Sequence, residues 1–392
     1  MEIYKTGKCV GGTFQILSDI IIGGQAHSYK AKSLFDGKGC YFLKFPKHGA
    51  PDDIRAFYKA IIERIPVKNR RLFALPVLSK ESADPLVLEE DGDPFVVYNW
   101  FEGRRLEELL QDTSTRFSNE HAASIVRSLL EAANCLAKAN IAHLDFSPAN
   151  IMVNFNNNGA NIKVIDFDSA RLGDENGRNF EFLNKLTETM YYSSPEQRSG
   201  KENQISIKSD TYSIALILLD VFERLFTSRW LPFDPPKERM DRILQSNRLH
   251  PEIYRAITEA IKDMPFARIT TGKLSASVFP FIGTNFEKKR CYVTIESERS
   301  VVPHIYYENI NLTRNEWKGI IGDVVNCALC LVIDDVKGEY FINRVNKTGS
   351  VMYRNRTLDV SRPIYLELKE LGKESFNFLV DNNKVNIYLK EY

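Results

Sequence analysis

The segment HLDFSPANIMV at 143–153, followed by IKVIDFD at 162–168, leaves the chain little choice of local structure. Two short apolar runs, IMV and IKVIDF, flank the Asn- and Gly-rich stretch NFNNNGAN at 154–161, a pattern suited to a hairpin turn. The hairpin delivers Asp166 on a short turn after its second strand. A polar loop carrying Asp145 and Asn150 precedes its first strand. A loop carboxylate, an amide after it and a second carboxylate on a hairpin suit phosphoryl transfer: one carboxylate can accept a hydroxyl proton, while the amide and the other carboxylate hold metal ions that bridge phosphates. An isolated Asp/Asn pair is more often a cap or a turn. The rest of the chain decides between the two, because further landmarks follow in order.

The 392 residues predict two or three domains at roughly 150 residues each. A hydrophobic fraction of 43% and a charged fraction of 26% belong to a globular protein and not a disordered one. Lys+Arg 52 against Asp+Glu 51 leaves a net charge of +1, which argues against a nucleic-acid or membrane partner beyond what a local patch could hold. No apolar run has the ~18 residues of a membrane span; the best, Ile214 to Val221, is interrupted by Asp220. The start, MEIYKTGKCVGG, lacks the apolar stretch of a signal peptide, so a cytoplasmic location is expected. Cysteines 9, 40, 135, 291, 327 and 330 are scattered and predict free thiols. Cys327 and Cys330 form a CxxC with no second ligand pair, so two thiols of a buried strand are expected there and not a zinc site.

Three textures follow one another. From 13 to about 100, FQILSDIII, HSYKAKSLF and CYFLKF read as strands, and PDDIRAFYKAIIERI as a helix with Pro51 and the Asp pair at its start. From 104 to about 280 the chain is mainly helical. EHAASIVRSLLEAANCLAKAN and SDTYSIALILLDVFERLF are the clearest helices, and the second is apolar on most faces, hence buried. From 281 to 392, CYVTIES, HIYYENI, ALCLVID, EYFINRV, PIYLELK, SFNFLV and KVNIYL alternate with turn residues, as in an all-β sandwich or barrel.

With these residues in view, the chain closely resembles the eukaryotic-like protein kinase superfamily over about residues 15–280, Asp145, Asn150 and Asp166 matching HRDxxxxN and DFG. DIIIGGQAHSYKA at 19–31 is similar to the glycine-rich loop that covers ATP, with Ile21, Gly23, Gly24 and Ala26 at its phosphate-facing positions. YFLK matches the strand that supplies the phosphate-binding lysine, Lys44, and Glu63 on the next helix is its candidate ion-pair partner. PFVVYNWFEGRRLEELL at 94–110 resembles the hinge, where Tyr98 backs the pocket and Asn99, Trp100 and Phe101 present backbone groups to adenine. TMYYSSPE matches the end of an activation segment, Asp210 the start of the large buried helix, and Arg268 the arginine that pairs with Glu196. Small-molecule phosphotransferases generally lack the SPE-type segment and its arginine.

The resemblance implies an α+β fold: a bilobal kinase domain over 1–280, with a β-rich lobe at about 13–103 and a helical lobe at about 104–280, then a β-rich domain over 281–392. It implies an ATP-dependent Ser/Thr protein kinase using Mg²⁺ or Mn²⁺, with a protein as substrate. Lys44 holds phosphates, Glu63 positions Lys44, Asp145 receives the substrate proton, Asn150 and Asp166 hold metal, and His143 supports the loop by packing. Thr189, and the absence of an arginine among Phe146, Ser147, Pro148 and Ala149, favour Ser/Thr specificity.

Several positions depart from the family. Leu144 replaces the arginine before the catalytic Asp, Ser147 a lysine near the transferred phosphate, and Asp168 the glycine of DFG. Phe42 stands where a small residue floors the adenine pocket, and either blocks ATP or is accommodated by the small Ser28. Asp168 either holds metal or hinders closure. These departures fit a divergent bacterial or viral kinase, and they keep a pseudokinase scaffold open as the alternative to an active enzyme. Thr187, Tyr191, Tyr192, Ser193 and Ser194 add activation-segment hydroxyls. NKTGSVMYRN and PIYLELKELGKESFNFLV loosely resemble the last strands of a forkhead-associated domain, which would imply a phosphopeptide or protein partner, although that family's GR and SxxH elements are not visible. Arg344, Lys347, Arg354 and Arg356 read there as a solvated face, with an anion site as the alternative.

Overall fold

The computed structural model describes residues 4–18, 21–22, 26–35, 39–114, 117–156, 159–173, 181–182, 191–245, 249–284 and 286, and the backbone of strands between 291 and 391. The chain divides into two compact units, residues 1–286 and 287–392.

The first unit begins with strands β1 (Cys9–Val10), β2 (Phe14–Ile16), β3 (Ile21–Ile22), β4 (Ala26–Ser33) and β5 (Cys40–Pro46), helix α1 (Pro51–Arg64), and strands β6 (Val87–Glu90) and β7 (Asp93–Asn99). They form one antiparallel sheet in the order β1-β2-β4-β5-β7-β6, with β3 paired to β4. Strand alternation gives β5 two jobs. Leu43 and Phe45 enter an apolar core with Phe14, Tyr29 and Phe95, where the Phe45 and Phe95 rings stack at 4.8 Å. Phe42 packs against a second, larger apolar cluster, and Lys44 shares its parity. Helix α1 has Pro51 in its first turn, Asp52 and Asp53 beside it and Arg64 at its end, all favourable to the helix dipole. Its buried stripe is Ile54, Tyr58, Ile61 and Ile62. After β7 the chain crosses to the helical half at Gly103, where any Cβ would lie 2.6 Å from the Val153 carbonyl oxygen, so the crossing tolerates only glycine.

The helical half contains β8 (Arg104–Arg105), α2 (Leu106–Gln111), α3 (Asn119–Lys138), β9 (Ile141–Ala142), β10 (Ile151–Asn156), β11 (Gly159–Val164), β12 (Arg171–Leu172), β13 (Glu181–Phe182), α4 (Pro195–Arg198), α5 (Ile207–Thr227), α6 (Pro236–Gln245), α7 (Pro251–Ala260) and α8 (Thr271–Val278). The expected hairpin is β10–β11, paired from Ile151↔Val164 to Asn156↔Gly159, with turn residues 157–158 outside the described set. Strand β8 extends it, and β12 pairs with both β9 and β13. Ser118 caps α3 by accepting the His121 N–H at 3.2 Å, and Ser206 caps α5. Helix α5 is buried almost all round, as its composition predicts.

Two carboxylates lie inside that buried helix. Asp220 accepts from the Tyr192 hydroxyl at 2.9 Å, from Trp230 Nε1 at 2.9 Å and from Arg239. Glu223 takes Arg239 Nε at 3.0 Å and Arg242 Nε at 2.9 Å. Burial pushes the Asp220 carboxyl up to about 6, against the pull of Arg239. Glu196 and Arg268 form a second buried pair, two parallel bonds of 2.7 Å joined by the Ser209 hydroxyl at 2.6 Å. Among the described residues no helix is long and apolar enough to cross a membrane.

The second unit contributes β14 (Cys291–Ser297), β15 (Val301–Tyr306), β16 (Ile310–Asn311), β17 (Leu329–Asp334), β18 (Glu339–Arg344), β19 (Val351–Tyr353), β20 (Arg356–Thr357), β21 (Ile364–Leu366), β22 (Phe376–Val380) and β23 (Asn383–Glu391). One sheet runs β15-β14-β23-β22-β19-β20 and another β16-β17-β18-β21. The first and last strands of the unit are neighbours, paired from Cys291↔Glu391 to Ser297↔Val385. Cys327, Lys347 and Arg354 lie outside the described residues; Cys330, Arg344 and Arg356 are described by backbone alone.

Removing one member of a buried ion pair leaves an unpaired charge, which costs roughly 3–5 kcal/mol. Arg268→Ala and Arg239→Ala should each lower stability by about that amount in denaturant unfolding, whereas Arg255→Ala, in an exposed pair with Glu252 on α7, should change it by less than about 1 kcal/mol.

Candidate active site

The site begins at the N-terminus of α5. The Asp210 carboxylate accepts the backbone N–H of His143 at 2.7 Å and of Leu144 at 2.8 Å. Burial pushes this carboxyl up to about 7, against the two amide bonds that favour its ionised form. Leu144 is thereby held at φ 61, a left-handed conformation that leucine adopts only when its surroundings enforce it. Its carbonyl accepts from Gln197 Nε2 at 2.8 Å, which ties the loop to α4. His143 is fully buried between the rings of Phe146 and Phe167, at 4.6 and 4.9 Å. Its Nδ1 accepts the Asp145 N–H at 3.3 Å and its Nε2 sits 3.2 Å from the Ile165 carbonyl, a pairing that requires the neutral Nε2–H tautomer.

Past this anchor the loop presents Asp145. Asn150 Nδ2 donates both to the Asp145 carbonyl at 2.9 Å and to its Oδ2 at 2.8 Å, fixing the carboxylate. The β10–β11 hairpin then brings Asp166 back to the loop, also left-handed at φ 65. Lys44 arrives from β5, its Nζ 2.8 Å from Asp166 Oδ1 and 2.8 Å from Asp168 Oδ1. Burial opposes the lysine's charge, but the two carboxylates outweigh it and hold the ammonium well above its usual range. Within this triangle the carboxylates diverge. Asp166 stays below the usual carboxylate range because Lys44 outweighs its burial, while burial and repulsion from Asp166 push Asp168 up. The Tyr58 hydroxyl of α1 donates to Asp168 Oδ1 at 3.3 Å, and burial keeps that phenol protonated.

Among the described residues, the Asn150 amide oxygen and Asp166 Oδ2 carry no protein hydrogen bond. They are hard oxygen donors on neighbouring loops, and one amide with one carboxylate is the partial ligand set that a Mg²⁺ completes with phosphate oxygens and water. The residues present therefore fit a divalent cation bound together with a nucleotide.

Of the residues singled out in the sequence, the structure joins Lys44 to Asp166 and Asn150 to Asp145, and the Ile165 N–H, next to Asp166, donates to the Asn150 carbonyl at 3.0 Å. It does not join Glu63 to Lys44. That side chain is exposed on α1 and is not among the partners of Lys44. Five residues at about 100° each turn Glu63 well away from the stripe that carries Tyr58, and Tyr58 is the residue that faces the site. Ala26 is buried and paired with Pro46; Ile21 pairs with Ser28, with its side chain outside the described set, and Gly23 and Gly24 lie outside it too. In the hinge, the Trp100 N–H donates to the Cys40 carbonyl at 3.0 Å, and Lys30 Nζ sits 4.1 Å over the indole. Asn99 is exposed at the end of β7 opposite Tyr41, and Phe101 is half-buried with Lys163 Nζ 5.8 Å above its ring. The Phe42 ring is half-buried, 6.2 Å from that of Tyr98. Ser147 is buried and its Oγ has no partner. Of the activation-segment hydroxyls, Tyr191 is exposed against Phe233, whereas Tyr192, Ser193 and Ser194 are buried, and Thr187 and Thr189 lie outside the described residues. Tyr58 and Gln197 carry no motif. The only signal for Tyr58 is its polar tip within the apolar stripe of α1.

Residues 86–274 match the protein kinase domain family. Cyclin-dependent kinase 12 of Drosophila melanogaster is 27% identical over 55% of this chain and 18% of its own length. The serine/threonine-protein kinase PrkC of Bacillus subtilis is 26% identical over 58% of this chain and 32% of its own. The serine/threonine-protein kinase pkn3 of Myxococcus xanthus is 25% identical over 67% of this chain and 48% of its own. The chain spans half or less of the length of these relatives. A crystal structure of a kinase domain shares the fold with a TM-score of 0.50 at 14% identity, covering 70% of this chain and 97% of that one.

Burial lowers the His143 imidazole from 6.5 to about 4. The unfolded chain therefore takes up this proton below pH 6.5, and the folded chain only near 4. Its contribution to stability is complete above the first value and is lost as the pH falls toward the second. At ~1.4 kcal/mol per unit, wild type should lose up to roughly 3 kcal/mol relative to His143→Gln across that window, as measured by denaturant unfolding at both ends.

Proposed function

With residues 86–274 a protein kinase domain, we propose that the chain is an ATP- and Mg²⁺-dependent serine/threonine protein kinase that phosphorylates a protein hydroxyl in the cytoplasm. The observation that carries this is a pair of contacts on adjoining backbone: Lys44 from β5 on Asp166, and Asn150 on Asp145, with the Ile165 N–H beside Asp166 donating to the Asn150 carbonyl at 3.0 Å. Asp145, held by Asn150, accepts the proton of the attacking hydroxyl. Lys44 binds the phosphates of the nucleotide. Bound Mg²⁺, held by Asn150 and Asp166, supplies neutralisation of the phosphate charge. The hinge from Asn99 to Phe101 receives adenine. Because Phe42 leans toward Tyr98, the pocket floor is aromatic, which suits stacking against a flat base. Serine/threonine specificity is supported by the relatives that carry that name and by the lack of an arginine after Asp145. The strands beyond residue 287 would form a separate β domain that docks a protein partner or substrate.

The alternative is a pseudokinase scaffold, and the observation in its favour is Asp168, whose carboxylate occupies Lys44 alongside Asp166. Phosphate transfer to a generic protein substrate, with Mg²⁺ or Mn²⁺, separates the two. Asp145→Asn should lower transfer by at least ~100-fold, the usual worth of a positioned general base. Its thermal shift with nucleotide should persist. Equal background signal from wild type and variant, with no nucleotide shift in either, would leave the scaffold standing.

A further inference from the structure

We propose that Asp168, and not a helix glutamate, is the residue that positions Lys44, so that control of the phosphate-binding lysine has passed from α1 to the segment after Asp166. The inference rests on the kinase assignment for its functional meaning, but its geometry stands alone. Lys44 is buried and its two ion-pair partners, Asp166 and Asp168, both come from that segment at 2.8 Å. Glu63 is exposed. Helix α1 reaches the cluster only through the Tyr58 hydroxyl, a neutral donor to Asp168.

Each contact of Asp168 fixes it in this role. Its backbone N–H donates to Asp166 Oδ1 at 3.3 Å, so both carboxylates belong to one tight turn. Its side chain is buried and Oδ2 has no partner, so the group lacks the water contacts that would let it swing out cheaply. Three residues on, β12 begins and pairs Arg171 with Ala142 and Leu172 with Ile141, next to the loop that carries Asp145. The stretch from Asp166 to Leu172 thus carries both carboxylates on the lysine and pairs with the strand that leads into the Asp145 loop. Once a cation engages Asp166, Asp168 remains as the carboxylate that keeps the ammonium in place. A helix whose only link to the lysine is a neutral hydroxyl, passed through a third residue, cannot switch it by making or breaking an ion pair.

The test reads the lysine directly, in full-length, nucleotide-free protein. A pulse of an amine-acylating reagent followed by peptide mass spectrometry gives the acylation rate of Lys44 relative to exposed Lys201. Asp168→Asn and Asp168→Gly should each raise that relative rate roughly tenfold, because the amine loses one of the two carboxylates that hold it away from the reagent. Asp168→Glu should restore part of the protection, and Glu63→Gln should leave the rate as in wild type. With nucleotide and a protein substrate, Asp168→Asn should lower kcat/KM by roughly tenfold, about 1.4 kcal/mol of lost transition-state stabilisation. Unchanged Lys44 acylation in both Asp168→Asn and Asp168→Gly would overturn the proposal, as would a rise in Glu63→Gln. A changed metal requirement in Asp168→Asn without a change in acylation would also overturn it, by making Asp168 a metal ligand only. Failure of the kinase assignment would look different: no transfer by wild type, with the acylation pattern intact.

Discussion

Two amide hydrogen bonds to the Asp210 carboxylate set the position of the groups that follow them in the loop. They hold His143 and Leu144 at the head of α5, and α5 is the most thoroughly buried helix of the unit. Leu144 in a left-handed conformation costs of order 1–3 kcal/mol, and the bonds from Asp210 and Gln197 offset that cost. Because Leu144 turns there, His143 can receive the Asp145 amide on one nitrogen and face the Ile165 carbonyl with the other. The position of Asp145 is therefore inherited, bond by bond, from the core of the helical half. The Glu196–Arg268 pair secures the same end of that helix through Ser209.

What was legible in the sequence is what local spacing determines. Asp145, Asn150 and Asp166 stand out from the spacing of a loop and a hairpin, and Lys44 from the resemblance of YFLK to the family's lysine strand. Glu196 and Arg268 were legible as landmarks in order. Glu63 lies exposed and away from Lys44, since a separation along the chain does not say which face of a helix meets the sheet; the apolar stripe at 54, 58, 61 and 62 does, and it points to Tyr58. Asp168 stood out as a carboxylate in a glycine position, but its role depends on a contact with Lys44 from a distant strand, which no local pattern encodes.

Asp220 teaches the same lesson in the core. In the sequence it is the residue that interrupts an apolar run. In the fold it gathers Tyr192, Trp230 and Arg239, three donors from three separate segments. A charge inside an apolar helix is expensive unless its partners are brought to it, so it fixes the register of α5 against α6 and against the end of the activation segment. Apolar contacts alone would tolerate a slide along the helix. This set of bonds does not.

The grip of Asp210 on residues 143 and 144 also has a temporal side. During synthesis the loop emerges 66 residues ahead of the side chain that shapes it. The N-terminal sheet, whose partners are all made by residue 99, can assemble while the loop is still without its holder. The nascent chain therefore carries the strand of Lys44 before the loop of Asp145 is held, and that loop takes its shape only once α5 has left the ribosome and docked. An unfinished chain, released early, would hold its lysine but lack the geometry to use it.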